Sequence, residues 1–414
     1  MLRGVEDLKE KNKAVILTGI ISVLMLFAFL FVWTAVKFAK APDNTKSVNV
    51  SIIGEYSVDG ENWSSMQSND NIEKNYETVT FRGRLSHNVP DNQYLIISMC
   101  DVWCDLKVNG ETVATNHYDL NYATDTPGNS IAYVSSDDIP YNAEIELTLS
   151  NPYTVFGGFN PIKDTLNNLT VGDRDAMYRD LIKNNTADIL ISLAIFFLGL
   201  FGFTLAGLLW KNVMYRNLAL SLMAITGGVY VLTNSIYSYL PLWISNPVLC
   251  TVLEELSTYF LPIAGFLYIR VNVENNNSKK YVSVILISTI LLTTTAVFLQ
   301  LFGVMDILKS EVFIFPFIIL GIIGSAVCLI YEAFKLKSKN SKAVLISLSP
   351  LAATGMIDFI NFLVGFGTDR IFMKLGLLLT VFIQIYLLFL ETREHHKELL
   401  RYQKMQNEML QMRV

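Results

Sequence analysis

Histidine, cysteine and charge are all in short supply in this chain. Its 414 residues include four histidines and four cysteines, and only 17% are Asp, Glu, Lys or Arg, against about 25% in soluble globular chains. So few cysteines exclude a disulfide framework. Cys250 and Cys328 fall in apolar blocks, where a thiol packs as a small hydrophobe. Cys100 and Cys104 lie in "CDVWC". Residues four apart in a straight strand are about 13 Å apart, so a bridge would need a sharp turn and unpaired thiols are the expectation. No second pair of ligands follows at a zinc spacing, and no metal site is assigned. His395 and His396 stand in "REHHKEL", whose mixed charges read as a solvated helix face rather than a phosphoacceptor. P-loop, Rossmann glycine run, HExxH and GxSxG are all absent. No catalytic residue and no cofactor is therefore expected. A net charge of −5, spread along the chain, argues against a nucleic-acid partner.

What is abundant is apolar length. Hydrophobic residues make up 52% of the chain and fall in blocks, most of them near the roughly 20 residues a helix needs to cross a bilayer. The first, residues 14–36, is too long for the core of a cleaved signal peptide and reads as an uncleaved signal anchor after a cytoplasmic N-terminus, 1–13. Seven further blocks lie near 187–210, 217–240, 247–269, 281–303, 312–334, 343–366 and 371–391.

Loop charge orients them. "KNVMYR", "RVNVENNNSKK" and "KLKSKNSK" carry nine basic residues, Lys211, Arg216, Arg270, Lys279, Lys280, Lys335, Lys337, Lys339 and Lys342. The alternate loops carry only Lys309 and Arg370. By the positive-inside rule the first set is cytoplasmic. Both termini are then cytoplasmic, and the polar insert at 43–180 faces outward from a multi-pass cell-membrane protein.

The insert reads as an all-β sandwich. Short alternating runs ("ETVTFRGRL", "YLIISMC", "AEIELTLS" and others) are separated by turn residues, and no helix-period segment of useful length interrupts them. Asn109-Gly110 suits the positive φ values of a tight hairpin turn. "DVWCDLKVNGETVA" and the late "AEIELTLSNPY" resemble jelly-roll sandwiches of the carbohydrate-binding, galactose-binding-like type, a fold that can bind sugar, peptide or nothing; an external small-molecule or carbohydrate-like ligand is the expectation. Trp63, Trp103, Tyr118, Tyr122, Tyr153 and Phe156 could stack on a sugar, although strand aromatics more often fill a core. The expected fold is thus an α-helical polytopic membrane protein, a signal-anchor helix plus a seven-helix bundle (187–391), carrying an extracytoplasmic jelly-roll-like sandwich.

Polar residues within the apolar blocks are the candidate ligand-binding set. Asn234, Glu254, Glu255, Asp358 and Asn361 all fall toward the outer ends of their spans. Intramembrane carboxylates are costly and usually functional; interhelical hydrogen bonding is the plainer alternative. Glu332, near an inner end, is expected to reach the interface.

The last apolar block runs without a helix breaker into a polar tail, 392–414. Leu399, Tyr402, Met405, Met409 and Met412 fall on one stripe, close to the seam of a short coiled coil, and imply a homodimer through this helix. From Leu377 to Val414 a continuous rod would measure roughly 57 Å at about 1.5 Å per residue. An external sandwich, seven spans and a helical linker resemble the bacterial seven-transmembrane receptors with diverse intracellular signalling modules. "LLRYQKMQNEMLQMRV" resembles the linker of two-component sensor histidine kinases. The resemblance implies a receptor that senses an external ligand and drives a cytoplasmic output, a histidine kinase first and a diguanylate cyclase second. The catalytic motifs of such outputs are not in this chain. A transporter or channel with an external β-domain is the competing class, although no internal repeat supports it.

Overall fold

The computed structural model describes residues 47–66, 76–117, 126–153, 160–206, 211–234, 240–364 and 372–387, with Leu400, Arg401, Met405 and Glu408 beyond them. The expected N-terminus (1–13) and signal anchor (14–36) lie outside the described residues.

Among the described residues ten strands form two antiparallel sheets. They are β1 (Val48–Asn49), β2 (Ile52–Ser57), β3 (Ser64–Met66), β4 (Thr78–Leu85), β5 (Tyr94–Met99), β6 (Trp103–Val108), β7 (Glu111–Thr115), β8 (Ser130–Ser135), β9 (Ile145–Ser150) and β10 (Leu169–Gly172). One sheet has the order β1-β10-β5-β8, the other β3-β2-β4-β9-β6-β7. Alternation in the sequence decides which side chains face inward. Val79 and Phe81 of β4 bury against Leu147 and Leu149 of β9 and against Leu95 and Ile97 of the facing sheet. The opposite face pairs polar groups across strands, Thr80 with Thr148 at 3.2 Å and Glu146 with both Arg82 and Lys107 at 2.9 Å. At the β6–β7 turn, Asn109 and Gly110 take φ values of 51° and 88°, the left-handed pair that a primed hairpin turn needs.

Two helices break the expectation of an insert without them. α1 (Pro161–Asn167) starts at Asn160, whose side chain accepts the Lys163 N–H at 3.1 Å, with proline at its first position. It buries Ile162 and Leu166 in the sandwich core. α2 (Arg174–Asn184) lies on the outer face of the four-stranded sheet, packing Met177 and Leu181 on Ile96. The Arg174 guanidinium sits 4.8 Å from the Tyr94 ring and 4.6 Å from the Tyr133 ring, a cation held between two π faces.

α2 leads directly into the helical part: α3 (Thr186–Ala206), α4 (Lys211–Thr233), α5 (Pro247–Asn272), α6 (Asn276–Leu301), α7 (Glu311–Phe334), α8 (Lys339–Val364) and α9 (Phe372–Leu387). Among the described residues four stretches, Thr186–Thr204, Pro247–Asn272, Asn276–Leu301 and Leu308–Phe334, are long and apolar enough to cross a membrane. Large apolar side chains stand exposed along α6 and α7, among them Val284, Ile287, Leu291, Leu320, Ile323 and Val327. Water would penalise so continuous an apolar surface; lipid does not. This is the helical part of a membrane protein.

α5 is the central helix, in contact with α4, α6, α7 and α8. At its far end Glu332 is fully buried and does not reach outward as expected. It accepts the backbone N–H groups of Glu274 at 2.9 Å and Asn275 at 3.0 Å and the Ser341 hydroxyl at 2.6 Å, tying the α5–α6 turn to the start of α8. Glu274 and Asn340 extend this knot to Arg216 of α4.

Candidate functional site

The sandwich meets the helices through a buried polar seam at the near end of α5. Three sandwich segments contribute: the β5–β6 connection, the stretch leading into β8, and the chain just after β9. The helical side supplies the N-terminus of α5 and the α6–α7 connection.

Each segment is set locally. Asn116 holds the β5–β6 connection, accepting the Cys104 N–H at 2.6 Å and donating to the Val102 carbonyl at 2.8 Å. This leaves Asp101 in the left-handed region, φ 54°, a conformation that Asp tolerates better than bulkier residues. Before β8, Gly128 has φ 70°, and a Cβ there would lie 2.4 Å from the Pro247 carbonyl carbon. Only glycine lets the two backbones close, and the next residue, Asn129, donates its N–H to the Pro247 carbonyl at 3.3 Å. Pro247 opens α5 behind the Asn246 cap, whose side chain accepts the Leu249 N–H.

The contacts run from sandwich to helix. The Thr251 hydroxyl donates to Asp101 at 2.9 Å, and Asn129 Nδ2 donates to Glu254 Oε2 at 2.9 Å. Asp306, in the α6–α7 connection, accepts from the Thr126 hydroxyl at 2.8 Å, from the Tyr153 phenol, and from the Leu308 N–H at 2.9 Å. Gln300 braces this connection by accepting the Ile307 N–H at 2.7 Å. Asp101, Thr126, Asn129, Tyr153, Thr251 and Asp306 are all buried.

Burial in this seam weakens acids. It pushes Asp101 up to about 7, with Asp306 and Glu311 adding to the shift and the Thr251 hydrogen bond opposing it. Burial also carries the Cys100 thiol well above its ordinary range, with Asp101 and Glu254 reinforcing it. The Tyr153 phenol rises for the same two reasons, burial and the charge of Asp306. All four cysteines are free.

Of the residues singled out by depth in the sequence, Asn234, Glu254 and Glu255 come together. Asn234 donates to Ser257 at 3.1 Å and to the Glu254 carbonyl at 3.4 Å, and Ser257 meets Thr233 at 2.6 Å. Glu255 is buried one residue along, and its Oε2 has no hydrogen-bond partner. Asp358 serves a different neighbour, accepting the Met373 N–H at 2.5 Å where α9 begins. The adjacent Lys374 forms a buried ion pair with Asp188 of α3 at 2.5 Å. The side chain of Asn361 lies outside the described residues, as do Leu399, Tyr402, Met409 and Met412 of the tail stripe. Met405 is helical and half exposed.

Sequence reasoning missed Asp101, Asn129 and Asp306 because polar residues in polar loops carry no local mark. It also missed Asp188 and Lys374. Tyr153, singled out as a ring for a sugar or a core, is buried with its phenol on Asp306. On the aromatics, Trp103 stacks on His117 with ring centres 4.7 Å apart, and Trp63 lies under Arg82. Among the described residues no set of three His, Cys, Asp or Glu side chains converges to hold a metal ion. Compared with protein-family models and with curated proteins, the chain matches neither a family nor a relative.

Proposed function

We propose that this chain is the sensing part of a transmembrane signal receptor. In this reading the sandwich lies outside, seven helices span the membrane, and both termini are cytoplasmic. An external ligand, small or carbohydrate-like, shifts the sandwich on the helices, and the tail carries that shift to a cytoplasmic output, in the first instance a histidine kinase. The observation that carries the reading is the seam. The sandwich does not hang from a single linker: it grips α5 through Asp101, Gly128 and Asn129, and the α6–α7 connection through Thr126 and Tyr153. A displacement of the sandwich must therefore be felt by the central helix, the kind of two-state interface through which small shifts are amplified. α2, clamped to the sandwich by Arg174 and continuous with α3, offers a second route.

The test combines topology with coupling. A cysteine at Asn109 should label from outside intact cells and one at Lys339 should not. Single cysteines along 395–412 of the full chain should cross-link between protomers with a period near the 3.5 residues of a coiled coil. Loosening the seam with Gly128→Ala should change that pattern. An unchanged pattern, or equal cross-linking at every position, would reject the coupling.

A further inference from the structure

We propose that the seam is a proton-binding site. Two buried carboxyl groups, Asp101 supplied by the sandwich and Glu255 supplied by α5, take up protons when the two parts dock and release them when they separate. This rests on the geometry of the seam and stands independently of the receptor reading.

The first support is a shortage of donors. An ionised carboxylate only accepts hydrogen bonds. The donors in the seam are already committed: Thr251 and, at 3.8 Å, the Cys100 thiol to Asp101, Asn129 Nδ2 to Glu254, and Thr126, Tyr153 and the Leu308 N–H to Asp306. Two acceptors are left over. Asn129 Oδ1 and Glu255 Oε2 have no partner, on residues only 1% and 7% exposed. An orphaned buried acceptor is costly. Each proton placed on a carboxyl turns an acceptor into a donor, which is what these two oxygens lack.

The second support is the charge around the site. From the sandwich, Asp101, Cys100 and Tyr153 face it, with Asp164 and Lys163 on α1; from α5 come Cys250, Glu254, Glu255 and Tyr259; from the α6–α7 connection and α7 come Asp306, Lys309 and Glu311. Lys309 is exposed, and Lys163 acts on Asp164 beside it. Among the described residues no ion pair reaches Asp101, Asp306 or Glu255. Buried like charges of this kind favour neutralisation by proton uptake. The carboxyl groups come from different segments and do not converge in threes as a metal would require.

The sign follows from Asp101, whose carboxyl goes from an ordinary 3.8 to about 7 on burial in the seam. Below the ordinary value it is neutral whether docked or not, and docking is strongest. As pH rises toward 7 the separated form loses its proton first, and docking weakens about tenfold per unit, to roughly a thousandfold for this one group.

The experiment is hydrogen–deuterium exchange on the full chain in lipid nanodiscs between pH 5 and pH 8, corrected for intrinsic rates. Protection of peptides covering 95–103, 126–135, 247–256 and 303–312 should fall at least about tenfold as pH rises, while the β4 peptide holds. Asp101→Asn, which keeps a residue tolerant of positive φ, and Glu255→Gln, a neutral mimic of the protonated acid, should each flatten the response. A wild-type seam indifferent to pH, or both variants responding as wild type does, would overturn the proposal. So would restoration of protection at pH 8 by sodium or calcium chloride, which would make the occupant a metal ion. If one variant loses protection in β4 and has thus misfolded, the wild-type series together with the other variant decides.

Discussion

The phenol of Tyr153 donates a hydrogen bond to the carboxylate of Asp306, across 153 residues of sequence and from the sandwich to the α6–α7 connection. Both groups are buried. The bond joins one part to the other, so it exists only while the two parts are docked.

Tyr153→Phe should therefore leave the sandwich folded and weaken the seam. Asp306 keeps Thr126 and the Leu308 N–H, so the loss should be modest, about 0.5 to 1.5 kcal/mol. Hydrogen exchange in 303–312 should rise while exchange in β4 and β9 stays as in the parent protein.

Gly128→Ala tests the closest backbone approach. The new methyl would meet the Pro247 backbone at 2.4 Å, and its φ of 70° is itself unfavourable for alanine, by about 1 to 2 kcal/mol. Neither neighbour is a flexible side chain that can step aside. The seam should open, and maleimide labelling of Cys250, which is buried at the start of α5, should rise several-fold at fixed pH. Labelling that does not change would mean the sandwich is held by other contacts.

Lys374 and Asp188 pair at 2.5 Å, the lysine almost wholly buried. Lys374→Met strands a buried carboxylate and should cost about 3 to 5 kcal/mol. Adding Asp188→Leu should recover most of that loss, because removing both charges removes the desolvation penalty with the attraction. Thermal unfolding of the single and double variants in detergent would measure the difference.

Much of the architecture can be read along the chain. In β4 and β9, alternation separates Phe81 and Leu147, which bury, from Arg82 and Glu146, which pair outside. Asn109-Gly110 announces its turn because few other residues take positive φ at both positions. α1 had a legible start in Asn160-Pro161, a cap followed by a proline, but seven residues are too few to show a helical period. That Glu254 falls inside an apolar helix and Asn234 at the end of one was also legible, since apolar flanks in the sequence mark both.

What the sequence determined alone is therefore local and periodic: strands, turns, apolar helices, and which polar residues lie within them. Such patterns depend on a residue's near neighbours, and neighbours in sequence are visible in sequence. The partners were decided by the tertiary structure. Asp358 stands at a depth like that of Glu254 yet meets the Met373 N–H, and Glu332 turns inward to bind two backbone N–H groups instead of reaching solvent. Asp101 and Asp306 look like ordinary loop acids until docking brings Thr251 to one, and Thr126 and Tyr153 to the other, from 150 or more residues away. Hydrogen bonds and burial act over a few ångströms of space whatever the separation along the chain, and only the packed fold decides which distant groups come that close.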